Sequence, residues 1–224
     1  MKLVVIGGHS RSVGKTSLAV GIIAASPELG WTALKITQYG HGICSANGHD
    51  CDCVVDEPDC PFAITPEIDP DSGTDTSRFL QAGAEQVYWV RTRVGQLELA
   101  MPQLKRLLAD REFVIIESNS ILGFLNPDVY LPVLRFDTED FKLSNQLYFN
   151  RASAYAVVGN GDDGAGWPGV DLSQLERKPV FAVQPPSYFS VEVLDFLKKR
   201  LVENGPEMTG ARQPNLPDSG YPVE

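Results

Sequence analysis

The hydrophobic positions of this chain alternate between two patterns. Short, nearly unbroken apolar runs occupy residues 2–7, 31–38, 86–91, 113–118, 130–136, 154–159 and 179–184. Runs of that length bounded by turn residues predict strands buried on both faces. Between them, residues 15–26, 76–82, 96–109, 138–151 and 190–204 carry apolar residues at helical spacing. Pro102 is a weak point in the third of these, because a helix interior uses the N–H that proline lacks. The last helix carries basic residues toward its C-terminus, where the helix dipole favours them. Trp31 and Trp89 fall in strands and are expected in the core. Regular strand–helix alternation predicts an α/β fold, a mostly parallel sheet with helices on both faces. Such sheets bind ligands beyond the carboxyl ends of their strands.

Two segments break the pattern. Residues 39–73 show no convincing periodicity and are rich in Gly, Pro, Asp and Cys. A structureless loop of that length is rare in a compact domain unless it is functional or stapled. Beyond residue 204 the chain is Pro, Gly and polar residues, which predicts a disordered tail over 205–224. The expected organisation is one domain over 1–204 with a Cys-rich insertion at 40–71.

Charge narrows the function. The net charge of −10 argues against a nucleic-acid partner, because an acidic chain repels phosphate backbones. It leaves a single nucleotide open, since backbone N–H groups and one lysine hold a phosphate locally. No apolar run is long enough to span a bilayer, and the N-terminus opens a buried strand at once. We therefore expect a cytoplasmic protein with no membrane partner.

The chemistry begins at VIGGHSRSVGKTS, residues 5–17. A phosphate-binding loop usually reads Gly, four residues, then Gly-Lys-Ser/Thr. Here the first of those positions is His9, and the glycines stand at Gly7 and Gly8. A loop starting at Gly8, one residue longer than usual, is the simplest accommodation. Gly8, His9, Ser10, Arg11, Ser12 and Val13 would then wrap a phosphate, and Gly14 would let the backbone approach. Lys15 would reach the β- and γ-phosphates, and Thr16 would place its hydroxyl on Mg²⁺. Ser17 lies in the helix N-terminus, whose free N–H groups complete the cradle. The plain alternative is a chance GKT, and the position between a buried strand and a helix weighs against it.

Phosphoryl chemistry also needs carboxylates for metal and water. Asp75 opens a helix in SGTDTSR, with a plain alternative as its N-cap. Glu117 ends the strand FVIIE, where a carboxylate needs a partner. Arg78, three residues after Asp75, is placed to pair with it. Asn160 and Asp162, in VVGNGDD after a late strand, are candidate base contacts; the plain alternative is a turn.

All four cysteines, Cys44, Cys51, Cys53 and Cys60, lie in HGICSANGHDCDCVVDEPDC with two of the three histidines. Ordinary buried cysteines sit in apolar segments, whereas these sit among Asp, Gly, Asn and Pro. Soft thiolates in such a tract point to a metal, Zn²⁺ first and an iron–sulfur cluster second, with a redox dithiol third. A closed site would also explain how so long a loop stays ordered.

Together, VGKTS after an N-terminal strand, LKITQYGHG with Lys35, DTSRFLQAGA from Asp75 to Ala84 and the acid-tipped VIIES resemble the molybdopterin-guanine dinucleotide biosynthesis protein B family, within the SIMIBI class of P-loop NTPases. The likeness covers about residues 2–120. It implies a P-loop NTPase fold that binds GTP with Mg²⁺, forms a homodimer, and assists the enzyme that attaches a guanine nucleotide to the molybdenum pterin. It gives Lys15 and Thr16 the phosphate and metal roles, and Asp75 and Glu117 the rest of the metal and water shell. The chain departs from the family at His9, where Gly is usual. It departs also at ITQYGHG, which keeps only His41 of a histidine-rich stretch, and at Glu117-Ser118, where Glu-Gly is usual. The leading expectation is a Mg²⁺-dependent GTP-binding protein with slow hydrolysis in molybdenum-cofactor assembly. The alternatives are an ATP-dependent kinase or ligase-like enzyme, akin to dethiobiotin synthetase, and a non-catalytic module whose nucleotide switches partner docking.

Overall fold

One sheet organises the computed structural model, which describes residues 1–39, 61–159 and 166–203. Among the described residues it has eight strands: β1 (Lys2–Gly8), β2 (Thr32–Tyr39), β3 (Phe62–Glu67), β4 (Gln86–Arg93), β5 (Phe113–Glu117), β6 (Val129–Leu134), β7 (Tyr155–Val158) and β8 (Val180–Val183). Their spatial order is β3-β4-β2-β5-β1-β6-β7-β8. Every pairing is parallel except that of the edge strand β3 with β4. The helices are α1 (Lys15–Ala25), α2 (Asp75–Gln81), α3 (Leu97–Leu108), α4 (Leu143–Gln146), α5 (Ser173–Arg177) and α6 (Val191–Lys198).

β1 shows why the strands read as continuous apolar runs. Val4 and Ile6 pack on one face with Leu18 and Ile22 of α1, Phe79 of α2 and Leu197 of α6. Leu3 and Val5 pack on the other with Leu97 and Leu104 of α3 and with Tyr130. Successive side chains point to opposite faces, so helices on both sides bury every position after Lys2. β1 lies between β5 and β6, and the chain crosses it on the way from one to the other. The carboxyl ends of β1 and β5 therefore border the crevice at a topological switch point.

Three expectations need correction. Residues 62–67 form β3 inside the stretch that lacked periodicity. Only Phe62 and Ile64 reach the core, too few to signal a strand, and Pro66 is tolerated because β3 is an edge. The helix expected over 138–151 is cut to α4 and a 3₁₀ turn at Phe149–Arg151. Backbone groups there are spent on the loop between β1 and α1 instead: Lys142 N–H donates to the His9 carbonyl at 2.7 Å, and the Asp140 carbonyl lies 2.7 Å from His9 Nδ1. α3 runs through Pro102, in keeping with the helix expected over 96–109. Trp31 is buried as expected, whereas Trp89 is half-buried, with its N–H on Thr37 and Arg91 over its ring. Among the described residues no helix is long and apolar enough to cross a membrane. The cysteine cluster, Asn160, Asp162 and the tail over 205–224 lie outside the described residues.

Candidate functional site

The loop joining β1 to α1 is pinned at both ends and exposed at its tip. His9, Ser10 and Val13 are buried, while Arg11 and Ser12 face solvent. Ser12 and Gly14 both take left-handed backbone, with φ of 55° and 104°. Only glycine fits at Gly14, because a Cβ there would collide with the Tyr188 ring as well as strain the backbone. Lys15, the first residue of α1, folds back so that Nζ donates to the Ser10 carbonyl at 2.6 Å. Its stem lies over Gly8, where a Cβ would stand 2.9 Å from its Cγ and Cδ. Burial lowers the Lys15 pKa to about 8, against the pull of Glu117. Asn119 clamps the end of β1, accepting from Gly8 N–H at 3.0 Å and donating to its carbonyl at 2.9 Å.

His9, the residue that makes the loop atypical, anchors it. Its Nδ1 faces a carbonyl, which only accepts, so Nδ1 carries the proton. Nε2 then accepts from Arg135 N–H at 3.1 Å. The ring packs against Trp167 and Phe141. Burial lowers its pKa, which favours the neutral tautomer that this pair of bonds requires. Ser10 adds a hydroxyl bond to Asp140 at 2.6 Å. Both side chains serve the loop's shape.

Behind the loop, charged groups from four elements meet. Thr16 of α1 donates its hydroxyl to Glu117 Oε2 at 2.8 Å. Lys35 of β2 stands opposite Glu117 in the β2–β5 register and reaches its Oε1 at 3.2 Å. Lys35 Nζ also bonds Asp75 Oδ2 at 2.5 Å and lies 3.4 Å from Thr16 Oγ1. Burial disfavours the Lys35 charge, but Glu117 and Asp75 outweigh it, so its pKa is raised. Asp75 is not the cap of α2; Thr74 is, accepting from Ser77 N–H at 3.0 Å. The Asp75 carboxylate is thereby left to Lys35 and to Arg78, 3.6 Å away as the spacing predicted. Arg78 also donates to Ser17 at 2.9 Å, tying α2 to α1.

The structure thus gathers Lys15, Thr16, Asp75 and Glu117 at one crevice. It adds Lys35, Asn119, Asp140 and Tyr188, which sequence reasoning did not assign to the site. A lysine in the middle of the buried strand WTALKITQ was a usable signal for Lys35, because a buried charge needs a partner. Nothing local marked Tyr188, 174 positions from Gly14.

No family model matches the sequence, and no curated protein does. Among solved structures, HypB from Helicobacter pylori in complex with nickel is similar at 15% identity and a TM-score of 0.44, over 92% of this chain and 91% of that one. LpxK from Aquifex aeolicus in complex with ATP gives 14% and 0.45, over 81% of this chain and 53% of that one. The MinC:MinD cell division protein complex of Aquifex aeolicus gives 14% and 0.41, over 89% and 86%. At these TM-scores the likeness adds nothing to the topology and geometry described above.

Proposed function

We propose that this chain is a P-loop nucleotide-binding protein that takes GTP with Mg²⁺ and hydrolyses it slowly. One observation carries the reading: a glycine in left-handed backbone, a lysine opening the helix and a threonine hydroxyl on a strand-ending carboxylate meet where β1 turns into α1. A helix N-terminus with a half-buried lysine suits phosphate oxygens. The oxygens of Thr16, Asp75 and Glu117 already surround one cation, the Lys35 ammonium, and hard oxygen donors suit Mg²⁺. Thr16 would hold the ion with the two carboxylates, and the ion would neutralise charge on the phosphates. Lys15 would leave the Ser10 carbonyl for a phosphate oxygen. Zn²⁺ or an iron–sulfur cluster on Cys44, Cys51, Cys53 and Cys60 belongs to the same proposal, on composition alone.

The test is equilibrium binding of GTP and ATP with Mg²⁺ to the wild type and to Lys15→Ala. We expect GTP binding that falls by about a hundredfold or more in the variant, the order of one or two charge-assisted bonds. A preference for ATP would favour the kinase or ligase reading, and no binding of either would overturn the nucleotide site. Resemblance supplies the biological setting, a homodimer assisting molybdenum-cofactor assembly. Its check is whether adding the protein raises conversion of the molybdenum pterin to its guanine dinucleotide form.

A further inference from the structure

The Lys35 ammonium stands among three oxygen ligands that come from three separate elements. Thr16 Oγ1 is on α1, Asp75 on α2 and Glu117 on β5, at 3.4, 2.5 and 3.2 Å. The backbone enforces this, because the β2–β5 ladder sets Lys35 directly beside Glu117. Glu117 is 6% exposed and Lys35 20%, so water does little to share either charge. We propose that Lys35 is a tethered counter-ion standing in the divalent-cation position, so that its ion pairs and a bound cation exclude one another on Glu117 and Asp75. This rests on the reading of Thr16, Asp75 and Glu117 as the cation site.

The charge count gives the exclusion a direction. Lys15, Lys35, Lys142 and Arg78 face Asp75, Glu117 and Asp140, four cations against three anions. A bare divalent ion arriving here meets a group that is already net positive, and it must displace an ammonium that satisfies both carboxylates. A polyphosphate meets a complementary charge. The nucleotide therefore binds first, without a divalent ion, and the ion enters with the added negative charge of the phosphates. The Lys35 stem is four carbons long and flexible, so the ammonium moves aside without unfolding the strand. A lysine that served only to pair Glu117 would leave no separate demand on Asp75 and Thr16.

The proposal is tested without nucleotide, so that it fails or stands separately from GTP binding. Metal-stripped full-length protein is titrated with Mn²⁺ alone, and free Mn²⁺ is read by electron paramagnetic resonance. Wild type is expected to bind weakly, and Lys35→Met at least about tenfold more tightly, since removing a unit charge a few Å away is worth that much. Lys35→Arg keeps the cation and is expected to match wild type. Adding Glu117→Gln to Lys35→Met is expected to abolish the gain, which locates the ion. Where Lys35→Met fails to fold by circular dichroism, Lys35→Gln is read in the same way. Unchanged or weaker Mn²⁺ binding in the folded variant, or a gain that survives Glu117→Gln, overturns the proposal.

Discussion

The two halves of the loop between β1 and α1 are held by different physics. The front, from His9 to Val13, is fixed mainly by the neutral hydrogen bonds and ring packing of His9 against residues 135–141 and Trp167, with one Ser10 hydroxyl bond to the Asp140 carboxylate. The back, from Gly14 to Ser17, is tied by charge: the Lys15 ammonium donates across the loop to the Ser10 carbonyl, Thr16 donates to the Glu117 carboxylate, and Ser17 accepts from the Arg78 guanidinium. A packed anchor sets shape and holds it against salt. A charged anchor sets shape only while its charges stay balanced, which suits the half expected to meet a phosphate and a metal. The difference explains how a histidine can stand where a glycine is usual: the front half needs rigidity, and His9 supplies it through the side chain.

The comparison is broken most directly at Glu117. Glu117→Ala strips Lys35 of one carboxylate and Thr16 of its acceptor in a site of low exposure. Removing one partner of a buried ion pair costs about 3–5 kcal/mol, and the retained Asp75 bond puts this case near 3. Urea denaturation of the wild type and the variant measures it. A loss under about 1 kcal/mol would mean that the charged half is held by packing after all.

How much of this was legible before the fold was known varies with the kind of signal. The central strands were, because a strand buried on both faces shows itself as an apolar run. β3 was not, since an edge strand with two core contacts leaves too little pattern. The segment after β6 misled for a related reason: its helical spacing is real, but His9 and Ser10 claim its backbone and side chains from 125 and more residues away. That Lys15, Thr16 and Glu117 lie together was legible, since each stands where a strand or helix of a parallel sheet meets the crevice. Asp75 was ambiguous between cap and ligand until Thr74 proved to be the cap. His9 was placed correctly in the loop but with no hint that its ring faces the protein, because that depends on Trp167 and Phe141 being nearby.

The packed half is sharpened by pH. The folded state lowers the His9 pKa below its ordinary value near 6.5, because burial penalises the charge. The unfolded chain therefore binds a proton more readily, so this contribution is fully present above about pH 6.5 and is lost as pH falls below it. The slope approaches about 1.4 kcal/mol per pH unit at most. His9→Gln removes the titration, so stability compared between pH 7.5 and pH 5 should fall less in the variant than in the wild type. Carboxylates titrating in both proteins cancel in that comparison. An identical fall would show that the histidine bonds do not hold the front of the loop.

The smallest expected effect tests whether the charged half has a second support. Arg78 joins α2 to α1 through Ser17 and also pairs with Asp75, but its side chain is 43% exposed. Solvent screens a pair of that kind, so Arg78→Ala should cost about 1 kcal/mol or less in denaturation. Arg78→Lys should recover only part of it, since one ammonium cannot reproduce the forked contact with a hydroxyl and a carboxylate. The size relative to Glu117→Ala is what matters. If Arg78→Ala proves as costly, the clamp between α1 and α2 holds Asp75 in place and the Lys35 pairs follow from it. If it stays small, the buried carboxylate opposite Lys35 is the centre of the charged half, and α2 is a cover that the centre attracts.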